Sequence, residues 1–146
     1  MRMKQLEDYV VSIPDFPEPG IIFRDVTSII QSSEGLKITI DGLLERLQGV
    51  DFDVVLGPES RGFIFGCPVA VDLGLSFAPI RKPGKLPRET VSKEYSLEYG
   101  TNTLCMHADA VKKGDKVLII DDLLATGGTI GAAVELISSL GAEVVG

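Results

Sequence analysis

Apolar residues along this chain fall into two rhythms. Leu6, Tyr9, Val10 and Ile13 recur at helical spacing, which predicts a first helix ended by Pro14. Pro14 to Gly20 holds three prolines and ends in glycine, a fixed irregular turn. Leu36, Ile40, Leu43, Leu44 and Leu47 mark a second amphipathic helix, closed by Gly49. From there short apolar runs take over. Asp53 to Gly57, Leu75 to Ile80 and Val117 to Ile120 read as strands buried on both faces, and Thr101 to Val111 contains a further strand of weaker alternation. A helix is expected after Gly57, with Pro68 kinking it or delaying its start. Ile130, Ala133, Val134, Ile137 and Leu140 form a last helical stripe, stopped by Gly141, and Gly141 to Gly146 begins another strand.

Strands alternating with helices predict an α/β fold, a mostly parallel sheet flanked by helices. Such sheets bind ligands beyond the carboxyl ends of their strands, so the loops after Gly57, Ile80 and Ile120 are where chemistry is expected.

Composition narrows the class. The 146 residues are 45% hydrophobic, too apolar for disorder and of a size for one domain. The net charge of −7 disfavours a nucleic-acid-binding surface. No apolar run approaches the roughly 18 residues of a membrane span. Glu7 and Asp8 stand where a signal peptide would be apolar. Cys67 and Cys105 make neither a disulfide framework nor a zinc pattern; both are expected to be small buried residues in a reducing, cytoplasmic compartment.

The segment Val117 to Thr129, VLIIDDLLATGGT, carries the sharpest signal. A buried strand runs into Asp121 and Asp122, and a Gly-Gly loop then opens a helix. Gly127 and Gly128 let backbone N–H groups approach an anion, Thr126 and Thr129 add hydroxyls, and the helix terminus adds positive dipole. Ala125, Thr126, Gly127, Gly128 and Thr129 therefore suit a phosphate monoester. The acidic pair would repel that phosphate but suits sugar hydroxyls, or a cation bridging to them; together the two halves fit a ribose 5-phosphate. A strand end solvated by Asp and a helix capped by Thr is the plainer alternative.

This segment resembles the signature of the type I phosphoribosyltransferases. Pro14 to Asp25 (PDFPEPGIIFRD), Glu59 to Phe63 (ESRGF), Arg81 to Pro87 (RKPGKLP) and Tyr95 to Gly100 (YSLEYG) are similar, in order and spacing, to the adenine phosphoribosyltransferases. The resemblance implies transfer of 5-phosphoribosyl from 5-phosphoribosyl 1-diphosphate to adenine, giving AMP and diphosphate in purine salvage. It implies one domain, 1–146, with a small N-terminal hood over about 1–30, a core over about 31–146 and a lid over about 82–100. It also implies that the family's C-terminal strand and tail lie beyond Gly146 and are expected to be missing here, the sequence being either a fragment or a naturally short chain.

The same resemblance implies roles. Glu98 matches the catalytic acid/base, with Tyr99 beside it on the lid. Arg61, Lys82 and Lys85 are expected on the diphosphate, and Asp121 and Asp122 on the ribose and its magnesium side. Ile22, Phe23 and Arg24 are expected at adenine. Mg²⁺ is expected to arrive bound to substrate phosphate oxygens, with no all-protein cage. A homodimer is expected, with neither nucleic acid nor membrane as partner. His107, the one histidine, reads as structural or surface. A transferase for another purine base, and a non-catalytic sensor of the sugar diphosphate, stay open as alternatives.

Overall fold

The computed structural model describes residues 2–97, 99–123 and 127–146, and divides into two compact units, Met1–Gln48 and Gly49–Gly146. Of the expected site residues, Ala125 and Thr126 in the phosphate loop and Glu98 in the lid lie outside the described residues.

The first unit is small and mostly open to solvent. The helix expected over Leu6 to Ile13 is instead a short 3-10 turn, Leu6–Tyr9, followed by strand β1, Val11–Pro14. Tertiary pairing overrides the helical spacing: β1 runs antiparallel to β2, Ile22–Asp25, with Ile13 opposite Phe23. The proline-rich turn joins them, and Phe16 and Phe23 meet edge to face at 5.3 Å. A short helix α1, Thr27–Ile30, leads to α2, Ser33–Arg46. Ser32 caps α2 by accepting the Gly35 N–H at 3.1 Å. The predicted stripe from Leu36 to Leu47 is half-buried along α2. This unit takes in α2.

The second unit is built on a four-stranded parallel sheet in the order β4-β3-β7-β8. Its strands are β3 (Val54–Pro58), β4 (Ser76–Ile80), β7 (Lys116–Ile119) and β8 (Glu143–Val144). Every residue of β3 is buried, as its unbroken apolar run requires of a central strand. Pro79 sits in edge strand β4, where its missing N–H is tolerated. Helix α3, Arg61–Leu73, begins well before Pro68, so the proline does not delay it. Helix α4, Gly128–Ser139, sets Ala132, Ala133, Leu136 and Ile137 into the core with Leu56, Ile80, Met106 and Val117.

The stretch expected as the lid, about 82–100, contains strand β5, Thr90–Ser96, paired antiparallel with β6, Thr101–His107. Val91 and Tyr95 pack on the core, while Lys93 between them pairs with Glu135 of α4 at 3.0 Å. The alternation is present in the sequence, masked by the charged middle residue. Arg81 and Cys105 exchange backbone hydrogen bonds, joining this hairpin to the end of β4.

Sheet order reverses at β3. From it the chain passes through α3 to β4 on one side, while β7 lies on the other. A crevice between the carboxyl ends of β3 and β7 is the consequence, and it is the place where such sheets hold ligands.

Candidate active site

A cavity of about 550 Å³ occupies that crevice. It is lined from the β3 side by Pro58, Glu59, Ser60 and Arg61, and from the β7 side by Asp121, Asp122 and Leu123. Gly127, Gly128, Thr129 and Ile130, the opening of α4, complete it. The structure thus brings together the acidic pair, Arg61 and the described part of the phosphate loop.

The local backbone explains this convergence. Gly127 takes φ +82°, a conformation glycine adopts without cost, and turns the chain into α4. Having no side chain, Gly127 offers no side-chain cap of its own, and the Gly131 N–H closes the first turn on the Gly127 carbonyl at 2.8 Å. On the other wall, a Cβ at Gly62 would stand 2.8 Å from the Ile120 carbonyl oxygen. Only glycine lets α3 start this close to the end of β7.

The charges are organised as well. Arg61 Nε donates to a carboxylate oxygen of Asp122 at 2.6 Å, and the Asp122 side chain is 7% exposed. The Asp122 N–H in turn donates to Asp121 Oδ1 at 2.8 Å. Desolvation at the end of β7, reinforced by the neighbouring Asp122 carboxylate, pushes the Asp121 carboxyl up to about 6. Adjacent carboxylates thus differ: one is neutralised by arginine, the other is poised to gain or lose a proton near neutrality.

A second, smaller cavity of about 170 Å³ shares Pro58, Glu59 and Thr129 with the first. Arg81, Lys82, Tyr95, Asn102 and Thr103 also line it. Glu59 accepts the Lys82 N–H at 2.7 Å and faces Arg81 Nη2 at 3.5 Å. The Lys82 N–H, with help from the Arg81 guanidinium, holds the Glu59 carboxyl below the usual carboxylate range. Arg81 stacks over the Phe63 ring at 5.9 Å, and its buried Nε has no hydrogen-bond partner among the described residues. Tyr95 and Thr129 join their hydroxyls across 3.2 Å. Glu59, Arg81 and Tyr95 were not singled out as site residues from sequence. For Arg81 the signal was present, as it heads the basic run just past a buried strand.

Other candidates fall elsewhere. Lys82 reaches the second cavity, whereas Lys85 is an exposed loop residue and lines neither cavity. Tyr99 is 88% exposed at the tip of the β5–β6 hairpin. Ile22, Phe23 and Arg24 lie on β2 in the first unit, with Ile22 60% exposed and Arg24 Nη1 donating to Ser12 Oγ at 3.2 Å. His107 ends β6 half-buried and lines neither cavity. Cys105 is buried as expected, but Cys67 is exposed: it lies on the outer face of α3, beside exposed Ile64 and Val71. Among the described residues there is no cluster of three or more metal-ligating side chains, and no helix long and apolar enough to cross a membrane.

Comparison with known proteins agrees with this geometry. Residues 26–146 match the phosphoribosyl transferase domain family. The chain is 64% identical to an adenine phosphoribosyltransferase of Lachnoclostridium phytofermentans over 143 residues, covering 98% of this chain and 82% of that protein. Its fold superposes on the crystal structure of adenine phosphoribosyltransferase from Thermoanaerobacter pseudethanolicus with a TM-score of 0.89 and 50% identity, over 96% of this chain and 83% of that one. The Saccharomyces cerevisiae adenine phosphoribosyltransferase, complexed with an imino-altritol bisphosphate and adenine, gives 0.86 and 38%, over 95% and 81%.

Proposed function

The chain belongs to the adenine phosphoribosyltransferase family, and from that premise we propose how its residues move 5-phosphoribosyl from 5-phosphoribosyl 1-diphosphate to adenine. The products are AMP and diphosphate, and the reaction is a step of purine salvage. One observation carries the assignment of the site: Asp121, Asp122, Arg61 and the first turn of α4 share one cavity at the point where sheet order reverses.

The 5′-phosphate sits on Ala125 to Thr129, where backbone N–H groups and the α4 dipole favour an anion. Asp121 and Asp122 accept hydrogen bonds from the ribose hydroxyls. Arg61, Lys82 and Lys85 gather the diphosphate; Arg61 keeps its terminal guanidinium nitrogens for this while Nε holds Asp122. In the reaction the bond between C1′ and the diphosphate oxygen breaks, and a bond from adenine N9 to C1′ forms. The N9 proton passes to the Glu98 carboxylate, and the departing diphosphate takes the bonding electron pair. Cations placed around a developing anion lower the barrier because they need no reorganisation as charge appears. Tyr99, at the hairpin tip, closes over the site with Glu98 and excludes water that would compete for C1′.

Adenine is assigned to Ile22, Phe23 and Arg24. The Phe23 ring walls the base, and backbone groups of Ile22 to Arg24 read its Watson–Crick edge; among the described residues β2 pairs on one side only, with β1, which leaves its other edge for this. A site hydrogen-bonded to the exocyclic amine discriminates strongly against bases lacking it.

Magnesium fits as a substrate-borne ion. Two adjacent carboxylates in the cavity, one already paired with arginine, suit a hydrated cation on the diphosphate. Asp121 and Asp122 would face it, and its chemistry is to screen the diphosphate charge. We further propose a homodimer in the cytoplasm, supported by the family membership and by two free cysteines.

The test is chromatographic assay of AMP from adenine and 5-phosphoribosyl 1-diphosphate with Mg²⁺, against hypoxanthine, guanine and xanthine. AMP from adenine with the other bases inert is expected; turnover of another base in preference would replace the adenine assignment.

A further inference from the structure

We infer that Tyr95 is a positioning residue for the 5′-phosphate, acting through Thr129; this rests on the reading of the α4 N-terminus as the phosphate cradle. Tyr95 stands on β5 and Thr129 in the first turn of α4, and their hydroxyls are 3.2 Å apart. Both line the smaller cavity, and Thr129 lines the larger one too. The Tyr95 ring is packed on the core, so its hydroxyl is delivered from a fixed direction.

Proton counting assigns the direction of the bond. A threonine hydroxyl has one hydrogen and two acceptor sites. If that hydrogen is given to tyrosine, none remains for a phosphate oxygen. If the more acidic phenol donates to Thr129 Oγ1, the threonine hydrogen is left for the anion, and the chain Tyr95 O–H to Thr129 O–H to phosphate is polarised along its length. Binding is then also helped because the Thr129 rotamer is selected before the ligand arrives.

A second tie makes the idea testable. Lys93, on the same face of β5, pairs with Glu135 further along α4 at 3.0 Å. It fastens the same strand to the same helix without touching the cradle. If Tyr95 only holds the hairpin on α4, then Lys93→Ala and Tyr95→Phe should act alike.

The experiment measures the dissociation constant of ribose 5-phosphate by calorimetry for the whole chain and for Tyr95→Phe, Thr129→Val, their double variant, Thr129→Ser and Lys93→Ala, each checked for cooperative melting. Loss of one such hydrogen bond predicts a weakening of about 5-fold in Tyr95→Phe and about 10-fold in Thr129→Val. The double variant should be no weaker than Thr129→Val alone, Thr129→Ser should keep most of the affinity that Thr129→Val loses, and Lys93→Ala should bind like the parent. Normal binding by Tyr95→Phe, multiplicative losses in the double variant, or an equal loss in Lys93→Ala would each overturn the role of Tyr95 and leave the cradle standing. Normal binding by Thr129→Val would instead remove the cradle reading, and the inference with it. Should Tyr95→Phe fail to melt cooperatively, Thr129→Ser against Thr129→Val and Lys93→Ala still decide: a weakened Lys93→Ala overturns the positioning role, and a parent-like one supports it.

Discussion

Arg61 Nε and Asp122 meet at 2.6 Å, clasping the start of α3 to the end of β7 across the mouth of the cavity. With its side chain 7% exposed, Asp122 depends on Arg61 for neutralisation, whereas Arg61, at 43%, keeps contact with solvent. Removing the arginine is therefore the worse loss, since it leaves a shielded carboxylate unpaired. Arg61→Ala is expected to destabilise the fold by about 1–3 kcal/mol in urea titration and to lower kcat/KM for 5-phosphoribosyl 1-diphosphate about 100-fold. Asp122→Asn retains a neutral acceptor for Nε; its expected effect is a smaller stability loss with a raised KM for the sugar diphosphate. Equal stability of Arg61→Ala and the parent would show that the clasp serves ligand binding alone.

Asp121, raised to about 6, makes the site pH-sensitive. As an acceptor for ribose hydroxyls it must be ionised, so kcat/KM should rise between pH 5 and pH 7. Asp121→Asn should flatten that limb. Stability runs the other way. A carboxyl whose folded pKa exceeds its unfolded value favours the folded state while protonated. Its contribution is complete below pH 3.8 and is lost as pH rises through about 6. At pH 7 Asp121→Asn should melt no lower than the parent even as its activity falls, and a clear drop in melting temperature would mark the carboxylate as structural.

The two halves of this molecule differ in how openly their sequence states their structure. β3 and β7 are buried on both faces, so their apolar runs are unbroken, and the acidic pair and glycines that follow can be placed at the cavity at once. β1 is exposed throughout; its residues carry no burial pattern, and only the partner β2 makes them a strand. β5 was hidden by Lys93, whose ammonium finds Glu135 on a helix far along the chain. Exposure of Cys67 depends on which face of α3 meets the sheet, and small residues on both faces leave that phase open. The Glu59–Lys82 and Tyr95–Thr129 contacts join residues separated by 23 and 34 positions, and such pairs need a strand register before they exist.

Glu59 points a carboxylate at the very segment proposed to hold a diphosphate. Its contact with the Lys82 N–H shows why: it fixes the backbone of that segment, at the cost of one negative charge nearby. Glu59→Ala should raise KM for 5-phosphoribosyl 1-diphosphate about 10-fold with a smaller change in kcat, because an ordered loop becomes loose. Glu59→Gln keeps an acceptor for Lys82 and should recover most of the affinity. Tighter binding by Glu59→Ala would show instead that repulsion of the diphosphate dominates.

Glycine spacing around the cavity separates packing from site geometry. An added Cβ at Gly62 would lie 2.8 Å from the Ile120 carbonyl oxygen and 3.0 Å from Pro58 Cδ, with backbone on one side and a ring on the other. Neither can yield without moving the ends of β3 and β7, which carry Glu59 and Asp121. Gly62→Ala is expected to lower stability by about 1–3 kcal/mol, as overpacking does, and to reduce ribose 5-phosphate affinity as well. Gly131, an exposed residue of α4 with nothing among the described residues within 4 Å of its added Cβ, is the contrast. Gly131→Ala should stabilise the helix by up to about 1 kcal/mol and leave that affinity unchanged. The pair is read from urea midpoints and calorimetry on both proteins; a Gly62→Ala protein of parental stability and affinity would mean that the crevice is softer than its close contacts imply.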